Sequence, residues 1–556
     1  MQTSIFSRFV RHFLLWSGIA LPLLVTGPLS MFSANFGDFD LGSKQLALLI
    51  LPYLSIPLMA AVVTSILPFQ GFVQLILAWL VIGLYVQGNI AVWDYGRFDG
   101  SEIAWSKFAY RGYADLCIWV GILLLLLLGR RRILKELPLI VSAVCCLQIG
   151  SATLAFIGSK APYEVKTPDA RGDALPSFSK EKGVLMIILD EFSSQAFYSL
   201  LGTQPQLKSE FADFTYYRDV LAAFPTTYAA VPAILTGQPA PLTSSLSAYF
   251  ESAGPSAINE QLGRSGWSSE VVTFHPICKK FTSSRCQSLT QATSTDPVSA
   301  AKTELYKLLD LTLFRHAPHQ LKVRIYNDEH WFLQNEGLNS LSPSHQGSIR
   351  FVEQFQGKIR GDAAQPTFKL LHLLVPHGPY NLTPECERYK GPSISPSRMF
   401  TYNARCALKL VDTVLERLKE AGVYDATTIV LLADHGTPIG FDLQGFGTPL
   451  HRNLRRAVPL LMVKPAGYRA PPGAELRVDT RPLSQLEILG LINDTAHLGL
   501  SVPPTQARTP EGGRFFHNYA WRHDNWSSDI LPKSKTWVIS GDSWNMDNWQ
   551  AQKPLQ

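Results

Sequence analysis

Leu431-Leu432-Ala433-Asp434-His435-Gly436 sets a carboxylate beside an imidazole at the end of the apolar run Thr428-Ile429-Val430-Leu431-Leu432. An acid and a histidine delivered by a buried strand can hold a divalent metal. The plain alternative is a polar turn after a strand, and this stretch alone does not choose. A matching strand end lies far upstream, where Gly183-Val184-Leu185-Met186-Ile187-Ile188-Leu189 leads into Asp190-Glu191. Between the two, Phe224-Pro225-Thr226-Thr227-Tyr228 begins like a turn and continues to Leu235-Thr236-Gly237 as an apolar helix. A hydroxyl at a helix start is ordinarily an N-cap. The same N–H groups also favour an anion such as a phosphoryl oxygen. A threonine hydroxyl is a poor nucleophile at neutral pH, and coordination to a metal would activate it.

These pieces need a scaffold. The chain has 556 residues, 46% of them hydrophobic, enough for more than one domain. The apolar residues are unevenly spread. Up to about residue 158 long apolar runs dominate, with candidate membrane spans near 10–32, 45–67, 70–93, 113–129 and 138–157. Four spans following the first favour a multi-pass anchor over a cleaved signal peptide. Arg8 and Arg11 precede the first span, and Arg130, Arg131, Arg132 and Lys135 separate the fourth from the fifth. Both groups read as cytoplasmic, and acidic Asp38 and Asp40 as outside, which puts residue 158 onward outside; Arg97, Lys107 and Arg111 weigh weakly against. The net charge of +6 is spread out, and no basic arm points to nucleic acid.

The domain organisation expected is an anchor over 1–157, a Pro- and Gly-broken linker over 158–182, a catalytic domain over 183–507 and a Trp-rich subdomain over 508–556. Within the third, strands are expected at 183–189, 269–274, 367–374, 427–433 and 457–463. A helix is expected with Ala407, Leu408, Leu410, Val411, Val414, Leu415 and Leu418 on one face, ended by Gly422. Strands alternating with helices imply an α/β domain with a mostly parallel, covered sheet, whose ligands gather at the carboxyl ends of strands. Cys278 with Cys286 and Cys386 with Cys406 form two close pairs, read as disulfides of an oxidising compartment; unpaired thiols or a metal site are the alternatives.

Taken together, the chain resembles the alkaline phosphatase/sulfatase superfamily, in particular the membrane-anchored phosphoethanolamine transferases and lipoteichoic acid synthases. The resemblance implies five spans followed by a sulfatase-like α/β/α sandwich on the extracytoplasmic side of the inner membrane. It implies a metal held by Asp190, Asp434 and His435, with Thr227 as nucleophile. Pro232 stands five residues after Thr227 as in the transferases, and Leu235-Thr236-Gly237 resembles the sulfatase signature ending; Thr226 is the competing assignment. His372-Leu373-Leu374-Val375-Pro376-His377-Gly378-Pro379-Tyr380 is similar to the transferases' His-Gly-Pro segment. That similarity implies substrate binding by His377, and less directly by His372. His451, ahead of Val458-Pro459-Leu460-Leu461, is similar to their late histidine. His372 has an interior strand position as its alternative, and His451 a surface position beside Arg452 and Arg455. The local Cys386–Cys406 pair also resembles the transferase pattern. Two departures stand out. Asp190 replaces the transferases' Glu, with Glu191 beside it more sulfatase-like. Thr227, Ala229 and Val231 occupy positions where sulfatases need Cys or Ser, Pro and Arg, so formylglycine chemistry is not expected.

The function expected is metal-dependent transfer of a phospholipid-derived phospho-headgroup, phosphoethanolamine- or phosphoglycerol-like, to an envelope glycan or lipid through a phosphothreonine. The donor would be a membrane phospholipid, and one imidazole with hard oxygens suits zinc or manganese. A phosphodiesterase or phosphatase using water, or an inactive envelope-assembly scaffold, are the alternatives.

Overall fold

The computed structural model describes residues 5–35, 39, 41–95, 103, 105–158, 175–273, 281–287, 289, 297–327, 330–333, 341, 343–504, 507–520 and 530–552. Two compact units emerge, Met1–Thr167 with Ser294–Ser342, and Pro168–Thr293 with Pro343–Gln556.

Among the described residues, the first unit contains five helices long and apolar enough to cross a membrane: Ile5–Asn35, Ser43–Ile66, Gln70–Asn89, Trp105–Gly129 and Arg132–Gly158. The last two are joined in one helical stretch, Ala109–Gly158. That stretch is not straight. Trp119 packs on Gly83, whereas Val141 and Val81 both pack on Gly18. A straight helix would set positions 119 and 141 roughly 33 Å apart, too far for both to meet the same part of the third span. The reversal therefore falls between them, where Gly129 offers no side chain to clash with Ile133.

One expectation is corrected here. Ser294–Ser342 lies inside the stretch read as catalytic domain but belongs to the first unit. The reason is apolar packing. Ala301, Leu305, Leu308 and Leu309 of Pro297–His316 share a core with Val25, Phe32, Leu46 and Ile50. In sequence their spacing is that of any half-buried helix.

The second unit is built on an eight-stranded sheet: β1 (Gly183–Leu189), β2 (Thr215–Tyr217), β3 (Ser268–Val272), β4 (Arg285–Gln287), β5 (Thr367–Leu373), β6 (Thr427–Leu432), β7 (Leu461–Lys464) and β8 (Arg477–Asp479), in the order β8-β2-β7-β6-β1-β5-β3-β4. Only β7 runs against the others within this sheet. Every residue of β1, β5 and β6 is buried, as continuous apolar runs in a sheet covered on both faces require. The three short strands β2, β4 and β8 were not foreseen, because two or three residues carry no period. Pro396–Glu420 buries the expected stripe, and Gly422 supplies the positive φ after its end. Residues 159–174 of the expected linker lie outside the described residues; beyond them Leu175, Phe178 and Ser179 are buried, so 175–179 is packed chain, while Lys180 and Glu181 are exposed.

The C-terminal region forms an antiparallel sheet of β9 (Arg514–Asn518), β10 (Lys535–Ile539) and β11 (Trp549–Ala551). Trp544 and Trp549 share a core with Leu450, Leu454, Ala457 and Val458; Trp521 and Trp526 lie outside the described residues. Arg514, 1% exposed, donates to both carboxylate oxygens of Asp219 at 3.0 and 3.2 Å and to the Leu483 carbonyl. Arg514→Met would strand the buried Asp219 charge and is expected to cost about 3–5 kcal/mol, read as a fall in the denaturant midpoint.

His517 stacks on Phe224, and burial holds its imidazole down to about 4. Between its ordinary value and about 4 the unfolded chain binds a proton that the folded chain does not. Stability is therefore expected to fall as pH drops through that window, by about 2 kcal/mol after discounting for the ring's partial exposure. His517→Phe should flatten that part of the stability-versus-pH curve.

Candidate metal and nucleophile site

β1 lies between β5 and β6, parallel to both, with Ile188 paired to His372 on one side and Leu432 on the other. Asp190 and Asp434 each follow the carboxyl end of a strand by one or two residues. Adjacent parallel strands in this register must deliver both to one place. Asp190, Asp434 and His435 are buried, with ligand atoms all within 4.8 Å of one another.

Thr227 completes the cluster. It is the first residue of the helix Thr227–Thr236 and only 9% exposed. Its hydroxyl donates to Asp434 Oδ2 at 2.6 Å and lies 3.4 Å from Asp190 Oδ2 and 3.5 Å from His435 Nε2. Thr226 points elsewhere, its hydroxyl 2.7 Å from that of Tyr519. Geometry thus separates the two threonines that spacing left in competition.

The donor set fits a divalent cation. Asp190 Oδ1 is buried with no hydrogen-bond partner, a costly state for a carboxylate oxygen unless a cation faces it. His435 Nδ1 lies 3.0 Å from the Gly436 carbonyl, which can only accept, so the neutral ring keeps its proton on Nδ1 and turns the Nε2 lone pair toward Thr227. Burial alone would raise Asp190's pKa. The charge of His377, the hydrogen bond and charge of His372 and the charge of His435 outweigh it and hold the carboxyl below the usual range.

The three expected substrate histidines have different fates. His372 is fully buried, with Nε2 3.2 Å from Asp190 Oδ2 and Nδ1 3.1 Å from the Thr273 hydroxyl. Its contact with the cluster is made at Asp190, from the interior side of the strand. His377 is partly exposed, its Nε2 4.0 Å from Glu191 Oε2. His451 is not among the residues whose ligand atoms cluster within 4.8 Å. It is exposed at the head of the turn Arg452–Ala457, and its side chain makes no hydrogen bond or ion pair among the described residues.

From that same turn Arg456 reaches the site instead, 3.2 Å from Glu191 Oε1 and 3.4 Å from the Pro225 carbonyl. Gly436 makes this possible: a Cβ there would meet the Arg455 carbonyl at 2.8 Å, and its N–H donates to the Arg456 carbonyl. Arg456→Ala is expected to lower kcat/KM by about 10²-fold, the scale of losing one charge-stabilising donor, with partial recovery in Arg456→Lys.

Sequence reasoning also passed over Glu191 and Gln485. Glu191, 2% exposed, holds a positive φ of 67°, strained for a non-glycine residue. The turn aims its N–H at Asp434 Oδ1, 3.1 Å away. Gln485, fully buried, donates to the Asp434 carbonyl and accepts from Ala223 N–H, tying the threonine loop to the Asp-His loop. Glu191 was visible as a second acid beside Asp190; nothing local marks Gln485. Cys386 and Cys406 form a disulfide, and Cys286 is disulfide-bonded, while Cys278 lies outside the described residues.

The family described as sulfatase matches residues 182–497. No curated protein sequence matches the chain. Similar solved structures include an alkaline phosphatase superfamily protein from Vibrio parahaemolyticus, at 13% identity and TM-score 0.39, covering 68% of this chain and 84% of that one. A phosphonate monoester hydrolase from Silicibacter pomeroyi has 16% identity and TM-score 0.38, covering 64% and 85%. The lipoteichoic acid synthase from Listeria monocytogenes has 11% identity and TM-score 0.38, covering 69% and 89%.

Proposed function

Because this chain belongs to the sulfatase family, we propose that it is a membrane-anchored, metal-dependent phosphotransferase that moves a phospholipid headgroup through a covalent phosphothreonine on Thr227. The observation that carries this reading is the Thr227 hydroxyl, at a helix N-terminus, set among two buried carboxylates and an imidazole. Threonine cannot become formylglycine, so the nucleophile is the hydroxyl itself.

Asp190, Asp434 and His435 would hold the divalent cation, zinc or manganese. When bound, it supplies Lewis acidity, stabilising the Thr227 alkoxide and the charge on phosphorus. The residues do the rest. Thr227 Oγ1 passes its proton to Asp434 Oδ2 and forms a bond to phosphorus as the bond to the diacylglycerol oxygen breaks. The leaving oxygen takes a proton from the imidazole of His377, whose Nε2 lies 4.0 Å from Glu191 Oε2. Arg456 and the helix N-terminus carry charge on the non-bridging oxygens. In the second half an acceptor hydroxyl gives its proton to His377 and attacks phosphorus. The bond to Thr227 then breaks, and its oxygen recovers the proton from Asp434.

The acceptor would be an envelope glycan or lipid on the extracytoplasmic face. The anchor keeps the site on the same membrane as its donor, raising the donor's effective concentration. The test is the intact mass of Thr227-containing peptides after incubation with membrane lipids. A headgroup adduct that chases onto an acceptor supports transfer; an adduct that yields only free headgroup makes the protein a hydrolase.

A further inference from the structure

We propose that the membrane unit holds one acyl chain of a bilayer lipid in a preformed cavity. The cavity, about 510 Å³, lies between the spans Gln70–Asn89 and Trp105–Gly129 and the inserted helices Pro297–His316 and His319–Ile325. All these elements belong to the first unit.

The wall is hydrocarbon, with Leu84, Val120, Leu123, Leu313 and Leu321 among its residues. Four of its side-chain nitrogens are already engaged. The Trp79 indole N–H donates to the Trp119 carbonyl and that of Trp119 to Gln87. The Gln320 amide donates to the Gly112 carbonyl, and His316 Nδ1 to the Thr312 carbonyl. Water needs two to four partners to occupy a cavity stably, and this wall does not present them. A phosphate or sugar would be left equally unpaired.

The mouth identifies the occupant. Leu116 and Val120 line the cavity yet are 55% and 45% exposed, and the same helix continues outward with exposed Leu124, Leu127 and Leu128. On a membrane-length helix that surface is bathed by acyl chains. The volume sits within the range of small-ligand sites. A single flexible chain entering from the bilayer side fits that size and that wall. Lipid tails are as apolar as leucine, so no hydrophobic gain separates cavity from bilayer. Occupancy comes from van der Waals fit and from the abundance of chains at the mouth, and the tail exchanges readily. That suits a site that must turn over its lipid, although binding as such does not depend on the catalytic reading.

The test uses the full chain carrying Thr227→Ala, so that turnover plays no part, in phosphatidylethanolamine–phosphatidylglycerol vesicles with a trace of phospholipid bearing a diazirine on its acyl chain. After irradiation, adducts are mapped by peptide. Labelling of peptides containing Leu84, Val120 or Leu313 is expected to exceed that of the outward-facing stretch Leu58–Val63 by at least about five-fold per apolar residue, a factor that shape selection alone must supply. Val120→Trp, or the smaller filling change Leu84→Phe should the first not fold, is expected to abolish the excess without changing Leu58–Val63. Equal labelling of the two regions, or an excess that persists in a folded, filled variant, overturns the proposal.

Discussion

Thr227→Ala is expected to lower turnover by on the order of 10⁴-fold or more, the scale of removing a catalytic nucleophile. The covalent headgroup adduct should disappear with it. The protein should still fold, because alanine keeps the backbone N–H at this first helical position and is a good helix former. Thr226→Ala is the matched control. Its hydroxyl bonds Tyr519 and not the carboxylates, so only a modest loss is expected, from a looser loop. Equal losses in the two variants, or an adduct that survives Thr227→Ala, would remove the nucleophile assignment.

Stripping divalent cations with a chelator is expected to reduce activity by more than about 10²-fold, beyond what losing an outer partner of a metal site typically costs. Re-addition of zinc or manganese should restore it. A second readout is independent of turnover. Without a cation, Asp190 and Asp434 face each other across one hydroxyl, in a buried space where like charges repel. A cation at a hundred times its dissociation constant should stabilise the fold by about 2.7 kcal/mol, seen as a rise in Tm. Asp434→Asn should remove both the Tm response and the activity. A chelated, metal-free protein at full activity with an unchanged Tm would sink the metal reading.

The sequence by itself determined the main elements and the residues at their ends. Strands at 183–189, 367–373 and 427–432 were legible because a parallel sheet covered on both faces demands unbroken apolar runs. The five membrane-length helices were legible because hydrocarbon thickness sets their length. Asp190, Asp434 and His435 stood out as polar residues closing such runs. Tertiary structure decided what no local pattern encodes. The order β6-β1-β5 brings Asp190 and Asp434 together, although 243 residues part them in the chain. Side-chain direction at a helix start set the Thr227 hydroxyl on Asp434 and the Thr226 hydroxyl on Tyr519. The fold of the turn Arg452–Ala457 set Arg456 against Glu191. Packing of Leu305 and Leu308 on Phe32 moved Pro297–His316 into the membrane unit. Period and composition report what a segment buries; which partner it buries against is settled by the energy of the whole fold.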